Sequence, residues 1–226
     1  MSRTVNLAEQ TVRREAFIDV AQHLIQTKTY EQMSVQDILD GVGSSRGAFY
    51  HYFDSKQQLL DAVVTRMGEA AIASLDSTLH DASISALAKL QQVFSGIAGW
   101  KAERRDLVLG IAEIWLSDDN ALVREKLRQR MMQDFAPMLG SIVAQGKREG
   151  VFAVGAPDDT ALVLVSLMFG ANLLATELFI ARQSNRVSLE EVERLLGAYT
   201  TAYERILGVG EGSLRIDSDL IRLWYQ

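Results

Sequence analysis

The chain has 226 residues, 48% hydrophobic and 23% charged, which is enough apolar content for one large soluble core or two smaller ones. It has no cysteine, which excludes disulfides, thiolate catalysis and Cys-based metal sites, and His23, His51 and His80 are too scattered to form a metal site by spacing. The net charge is −6, and residues 1–66 carry seven Lys/Arg against eight Asp/Glu, so bulk charge gives no support to nucleic-acid binding and any such reading must rest on arrangement.

The N-terminus has no apolar run of the kind a secretory signal needs, so a cytoplasmic location is expected. A first helix is expected near Ala8–Thr27, because Phe17, Val20, Ala21 and Leu24 recur at i, i+3, i+4, i+7. Ser34 to Asp37 then reads as a capping box opening a short helix, with Val35, Ile38 and Leu39 on its buried side. Gly41 and Gly43 bracket a turn, where glycine takes positive φ without strain. A third short helix starts at Ser44 or Ser45 and runs to about Tyr52. Asp54 and Ser55 cap a longer one, with Leu59, Leu60, Val63, Val64 and Met67 on one side. Larger helices are expected over 84–97, 105–116, 121–147, 158–182 and 188–207, with Pro137 kinking the third. No strand alternation is sustained anywhere. The stretch from Ala161 to Ala181 is apolar enough to raise a membrane span, but it carries Asn172 and Glu177 and follows Asp158 and Asp159. A helix buried on nearly all sides is the better reading. The segment 208–226 is either loose or docked by Leu220, Leu223 and Trp224.

Two short helices joined by a Gly-containing turn and braced on both sides make a helix-turn-helix. The second helix of such a unit enters a major groove with its N-terminal residues nearest the bases. Here Ala48, Phe49 and Phe53 can face inward, leaving Ser45, Arg46, Gly47, Tyr50 and His51 outward. Arg46 can donate in a bidentate fashion to guanine. Tyr50 and His51 are phosphate donors, and Tyr52 suits core packing equally well. Lys56 sits at the first turn of a helix, where the dipole disfavours a cation unless a phosphate shares the site. The bland alternatives are a short solvated helix and a solvated lysine.

Ser34, Val35, Asp37, Ile38, Gly41, Val42, Ser44, Gly47, Phe49, Tyr50, Tyr52, Phe53, Lys56 and Leu60 together resemble the N-terminal domain of the TetR family of transcriptional regulators. The resemblance covers about the first quarter of the chain. It implies an all-α fold: a three-helix DNA-binding domain over residues 1–55, a larger helical ligand-binding and dimerisation domain over 56–207, and a tail over 208–226. It implies operator contacts from Ser34, Ser44, Ser45, Arg46, Gly47, Tyr50, His51 and Lys56. It further implies a homodimer through the helices near 158–182 and 188–207, and a pocket for an apolar or amphipathic effector. Candidates for that pocket are Phe94, Trp115, Met131, Phe135, Met168, Phe169 and Phe179, with Asn172 and Thr176 as polar anchors. Repression, relieved when ligand binding changes the separation of the two reading helices, is the family default. No cofactor, metal or catalytic residue is expected: the chain has no phosphate loop after a strand and no nucleophile–base order. A helical interaction module that never meets DNA is the remaining rival.

Overall fold

The computed structural model describes residues 2–75, 79, 81–215 and 218–225. Among these, all regular structure is helical. The chain forms two compact units, residues 1–69 with 104–123 and residues 70–103 with 124–226. The expected boundary after residue 55 falls inside the first of these units. Most of α4 (Lys56–Ala73), through Glu69, belongs to the first unit, where Leu59, Leu60, Val63 and Val64 are buried.

The first unit is built on α1 (Ser2–Gln32), α2 (Val35–Val42), α3 (Arg46–Tyr52), the start of α4, and α6 (Arg105–Trp115), followed by a 3-10 turn over Asp118–Asn120. Phe17, Ile18, Ala21 and Ile25 of α1 pack among Ile38, Phe49, Phe53, Leu59 and Val63, all essentially buried. Phe17 meets Phe49 edge-on at 5.7 Å and Phe53 at 6.2 Å, an arrangement that suits the ring quadrupoles. Gly110 lets α6 lie against α1, since a Cβ there would come within 2.4 Å of the Ile25 carbonyl oxygen. α1 extends beyond the expected Thr27 and breaks at Thr29, whose φ of 67° is left-handed. Its last turns are polar and mostly exposed, so they carry no hydrophobic period to read.

The second unit comprises the end of α4, α5 (Ala86–Glu103), α8 (Ala136–Glu149), α9 (Pro157–Gln183), α10 (Leu189–Leu207) and α11 (Ser218–Tyr225). α7 (Ala121–Arg130) contributes to both units and runs through a π-turn, Met131–Phe135, into α8. Pro137 has no N–H to donate one turn back, and the wide turn immediately before it absorbs that defect. Leu90, Val93, Phe135, Leu139, Val143, Leu164, Val165 and Leu207 fill the core.

Two expectations about this unit need correction. α9 is not buried on nearly all sides. Its most apolar stretch has a mean hydropathy of 1.9, yet only 17% of that stretch is buried within the chain, and Leu162 and Val163 are exposed. One chain does not supply enough apolar surface to cover it. By length and composition α9 could cross a membrane, which a strongly apolar helix of a soluble regulator also satisfies. The C-terminal segment is docked rather than loose, and of the expected side chains Trp224 takes part, packed against the cluster of Leu178, Val192, Ile221 and Tyr225. Ile221 and Tyr225 are buried, Leu223 is exposed, and Trp224 is only partly covered, because the helical stripe falls on 221 and 225. The Leu220 side chain lies outside the described residues. The Tyr225 hydroxyl donates to the Ala175 carbonyl at 2.8 Å, and Gln91 exchanges two hydrogen bonds with the Arg215 backbone.

Candidate nucleic-acid interface

α2, the first helix of the pair, is fixed at both ends. The Ser34 hydroxyl accepts from the Asp37 N–H at 3.1 Å, and the Asp37 carboxylate accepts from the Ser34 N–H at 2.9 Å, the capping box read from sequence. Lys28 donates to the same carboxylate at 2.9 Å. These bonds hold the Asp37 carboxyl well below the usual carboxylate range, with Lys28 the largest cause. Gly43 alone takes the left-handed cap, at φ 66°. Gly41 lies within α2 and serves a different purpose: a Cβ there would fall 2.5 Å from Val20 Cγ1. The two glycines expected to share one turn thus do separate jobs.

Ser45 caps α3, its hydroxyl accepting from the Ala48 N–H at 3.3 Å. Phe49 and Phe53 are the inward anchors. With those positions fixed, helical geometry leaves Arg46, Gly47, Tyr50 and His51 exposed together, at spacings of three and four residues. Tyr50 is 47% exposed and rests edge-on against Phe49, a rigid outward ring. Ser45 is exposed and Ser44 half-buried. Ser34 is exposed, but both its hydroxyl proton and its lone pair are engaged with Asp37. Tyr52 turns toward Phe17, 6.0 Å between ring centres, and is half-buried.

Lys56 is placed differently from the sequence expectation. Its Nζ donates to the carbonyls of Tyr30 and Met33 at 3.0 and 2.9 Å and lies over the Tyr30 ring. Burial lowers its pKa, partly opposed by Glu31. The cation at this helix start is thus satisfied from within the protein. The carbonyls that satisfy it lie at the end of α1 and just beyond it, past the break at Thr29, which no short-range pattern announces.

Of the expected effector residues, Trp115 is buried in the first unit, whereas Phe94, Met131, Phe135, Met168, Phe169, Asn172, Thr176 and Phe179 lie in the second. Phe135 is plain core, and Phe94 stacks on Tyr203 at 4.9 Å. Phe179 packs near Tyr225 at 6.4 Å. Thr176 donates back to the Asn172 carbonyl at 3.0 Å. Asn172 accepts through Oδ1 from Lys101, a residue the sequence reading passed over although it shares a face with Phe94 and Ile97. An open cleft of about 830 Å³ in the second unit, with Ile72, Leu79, Lys89, Pro137, Met138 and Arg148 in its lining, contains none of the expected residues.

A buried aromatic brace, a glycine-capped turn and a short helix with a polar exposed face define a helix-turn-helix transcriptional regulator. Comparison with known proteins gives the same class. Residues 17–63 match the model for bacterial regulatory proteins of the tetR family, and residues 111–190 match a tetracyclin repressor-like C-terminal domain. The chain belongs to the TetR family. It is 27% identical over 161 residues to the HTH-type transcriptional repressor DhaR of Mycobacterium sp. strain GP1, covering 68% of this chain and 81% of that one. It is 34% identical to the regulator EthR of Mycolicibacterium smegmatis over 68 residues, 30% of this chain and 31% of EthR. Among solved structures, a transcriptional regulator from Cytophaga hutchinsonii superimposes with a TM-score of 0.60 at 19% identity, covering 86% of this chain and 96% of that one. The SmeT–triclosan complex gives 0.60 at 20%, covering 90% and 95%.

Proposed function

We propose that this regulator is a homodimeric, cytoplasmic repressor that holds a two-fold-related operator with α3 and releases it when a small apolar or amphipathic effector binds the second unit. The observation that carries the reading is the outward face of α3. Arg46, Gly47, Tyr50 and His51 are exposed on one short helix whose opposite side is locked by Phe49 and Phe53. A small residue beside Arg46 allows the backbone to approach base edges, where a guanidinium reads guanine. Tyr50 and His51 then serve as phosphate donors, with Ser44 and Ser45 at the helix start. Ser34 and Lys56 act by fixing α2 and α4, given the bonds that already engage them.

Residues 1–66, with seven Lys/Arg against eight Asp/Glu, fit modest non-specific affinity, with selectivity resting on α3. The curated relative DhaR is a repressor, which supports repression here. The SmeT–triclosan complex supports an effector reading, because a chain of this fold is found in complex with a small molecule. Dimerisation accounts for the uncovered apolar surface of α9. The functional division follows the compact units, with 1–69 reading DNA and the second unit binding effector and partner.

The test is selection of operator sequences from a random duplex pool, followed by a salt series on the winner. A near-palindromic site whose affinity falls linearly in log salt is the expected result. Failure to enrich any sequence, together with no binding to duplex DNA at low salt, rejects the reading in favour of a helical interaction module.

A further inference from the structure

We infer that Lys101 and Asn172 form the head-group site for an anionic amphiphile, a carboxylate carried on an apolar tail, within the second unit. The inference rests on the effector reading above and narrows it to one charge class.

Lys101 lies in the last turn of α5 and donates from Nζ to Oδ1 of Asn172, in the middle of α9. That neutral amide oxygen is the hydrogen-bond partner of the ammonium among the described residues. Lys101 is half-buried, and burial lowers its pKa to about 8. An ammonium taken out of water without a counter-charge is costly, and one amide dipole offsets only part of that cost. A second donor is at hand, because the Asn172 amide nitrogen remains available beside the ammonium. A carboxylate placed there would take one bond from each group, and its charge would complete the lysine's environment.

The surroundings have the matching shape. Phe94, Ile97 and Lys101 fall at i, i+3 and i+7 on one face of α5. On α9, Met168, Asn172 and Thr176 fall at i, i+4 and i+8. Phe94, Ile97 and Met168 are only partly buried against the core of this unit, so each keeps apolar surface to offer. Each face runs from hydrocarbon to polar groups along its own helix, the two kinds of surface that a tail with a charged head requires. Thr176 is turned back onto the Asn172 carbonyl, so its hydroxyl fixes the helix beside the site without competing for the head group.

The test uses the purified full-length protein with decanoate and 1-decanol, two probes of equal tail length and different head charge. Binding is followed by calorimetry and by tryptophan fluorescence in a Trp115→Phe, Trp224→Phe background, which leaves Trp100, the neighbour of Lys101, as the emitter. Decanoate is expected to bind at least about tenfold tighter than decanol. In Lys101→Met this preference disappears while decanol still binds, and in the surface control Lys147→Met it persists. Lys101→Met is also expected to raise the Tm of the ligand-free protein, because an unpaired charge leaves the interior. Four results overturn the inference: equal binding of the two probes, no binding of either, a preference that survives Lys101→Met, or a ligand-free Lys101 titrating at or above its ordinary 10.5. The last would show that another group, such as a carboxylate of a second copy, already neutralises it. A neutral compound that releases operator would preserve the repressor reading while removing this one.

Discussion

Lys56 holds Tyr30 twice: its Nζ lies 3.0 Å from the Tyr30 carbonyl oxygen and 4.2 Å from the centre of the Tyr30 ring. A second carbonyl, that of Met33, lies at 2.9 Å. The start of α4 is thereby stitched to the frayed end of α1. Lys56→Ala is expected to destabilise the protein by about 1–3 kcal/mol, since charge-assisted bonds to carbonyls are lost and those carbonyls are left less satisfied. Urea unfolding followed by circular dichroism measures this. A lysine used only on phosphate would weaken DNA binding and leave the urea midpoint unchanged.

Gly41 and Gly43 separate by the kind of damage a methyl group does. At Gly41 the new Cβ meets Val20 Cγ1 at 2.5 Å, so Gly41→Ala should cost about 1–3 kcal/mol through overpacking. Trimming the neighbour relieves it: Val20→Ala combined with Gly41→Ala should lose less than the two single changes added together. At Gly43 there is open space but a φ of 66°, so Gly43→Ala costs about 1–2 kcal/mol through the backbone alone, and no neighbouring change restores it. A double-mutant cycle on thermal unfolding distinguishes the two.

Arg46 is exposed at the first position of α3, next to a glycine. Arg46→Ala should leave Tm within error. It should cost about 1–3 kcal/mol of discrimination at the one base pair it reads, and less at every other position. Fluorescence anisotropy against single-base operator variants gives the pattern. A uniform loss across all variants would assign Arg46 to the phosphates instead.

The parts of this site that were legible in the sequence are those decided within one or two helical turns. The Ser34–Asp37 box needs only a three-residue spacing, and the inward placing of Phe49 and Phe53 needs only the period of α3. Pro137 announced its own disturbance, although its form, a π-turn immediately upstream, depends on packing. Lys56 could not be placed, because its carbonyl partners are 23 and 26 residues away and lie past the break in α1. Lys101 and Asn172 are 71 residues apart, and no local pattern pairs a lysine with an asparagine at that distance. The exposure of α9 was misread because hydropathy reports how apolar a helix is and says nothing about which molecule covers it.

The Asp37 carboxyl gives the first unit an acid-side pH dependence. Its pKa is depressed in the folded protein, first by the Lys28 hydrogen bond and then by the backbone and side chain of Ser34. A depressed carboxyl stabilises the fold above its unfolded pKa of about 4, and that contribution is lost as pH falls through the lower folded value. Wild-type Tm should therefore decline below about pH 4. Asp37→Asn should start lower at neutral pH and show a shallower decline in that window, because the group that titrates is gone. Parallel Tm-against-pH curves for the two proteins would contradict this.

Leu162 and Val163 stand 41% and 48% exposed on the most apolar helix of the chain. Neighbouring Leu164 and Val165 are fully buried in the second unit, so the helix is already anchored on its inner side and the outer side is the one left without cover. A second copy of the same helix, related by a two-fold axis, would present the same side chains in return. Placing a carboxylate at both positions, as Leu162→Glu with Val163→Glu, sets like charges against each other wherever two copies meet on this side. Light scattering after size exclusion is expected to show a dimer for the wild type and a monomer for the double variant. The helical circular-dichroism signal should be retained, because neither side chain belongs to the core. Operator affinity should fall with it, since two half-sites are then bound independently rather than as one unit. A double variant that stays dimeric would move the subunit interface off this part of α9 and leave Leu162 and Val163 with some other occupant.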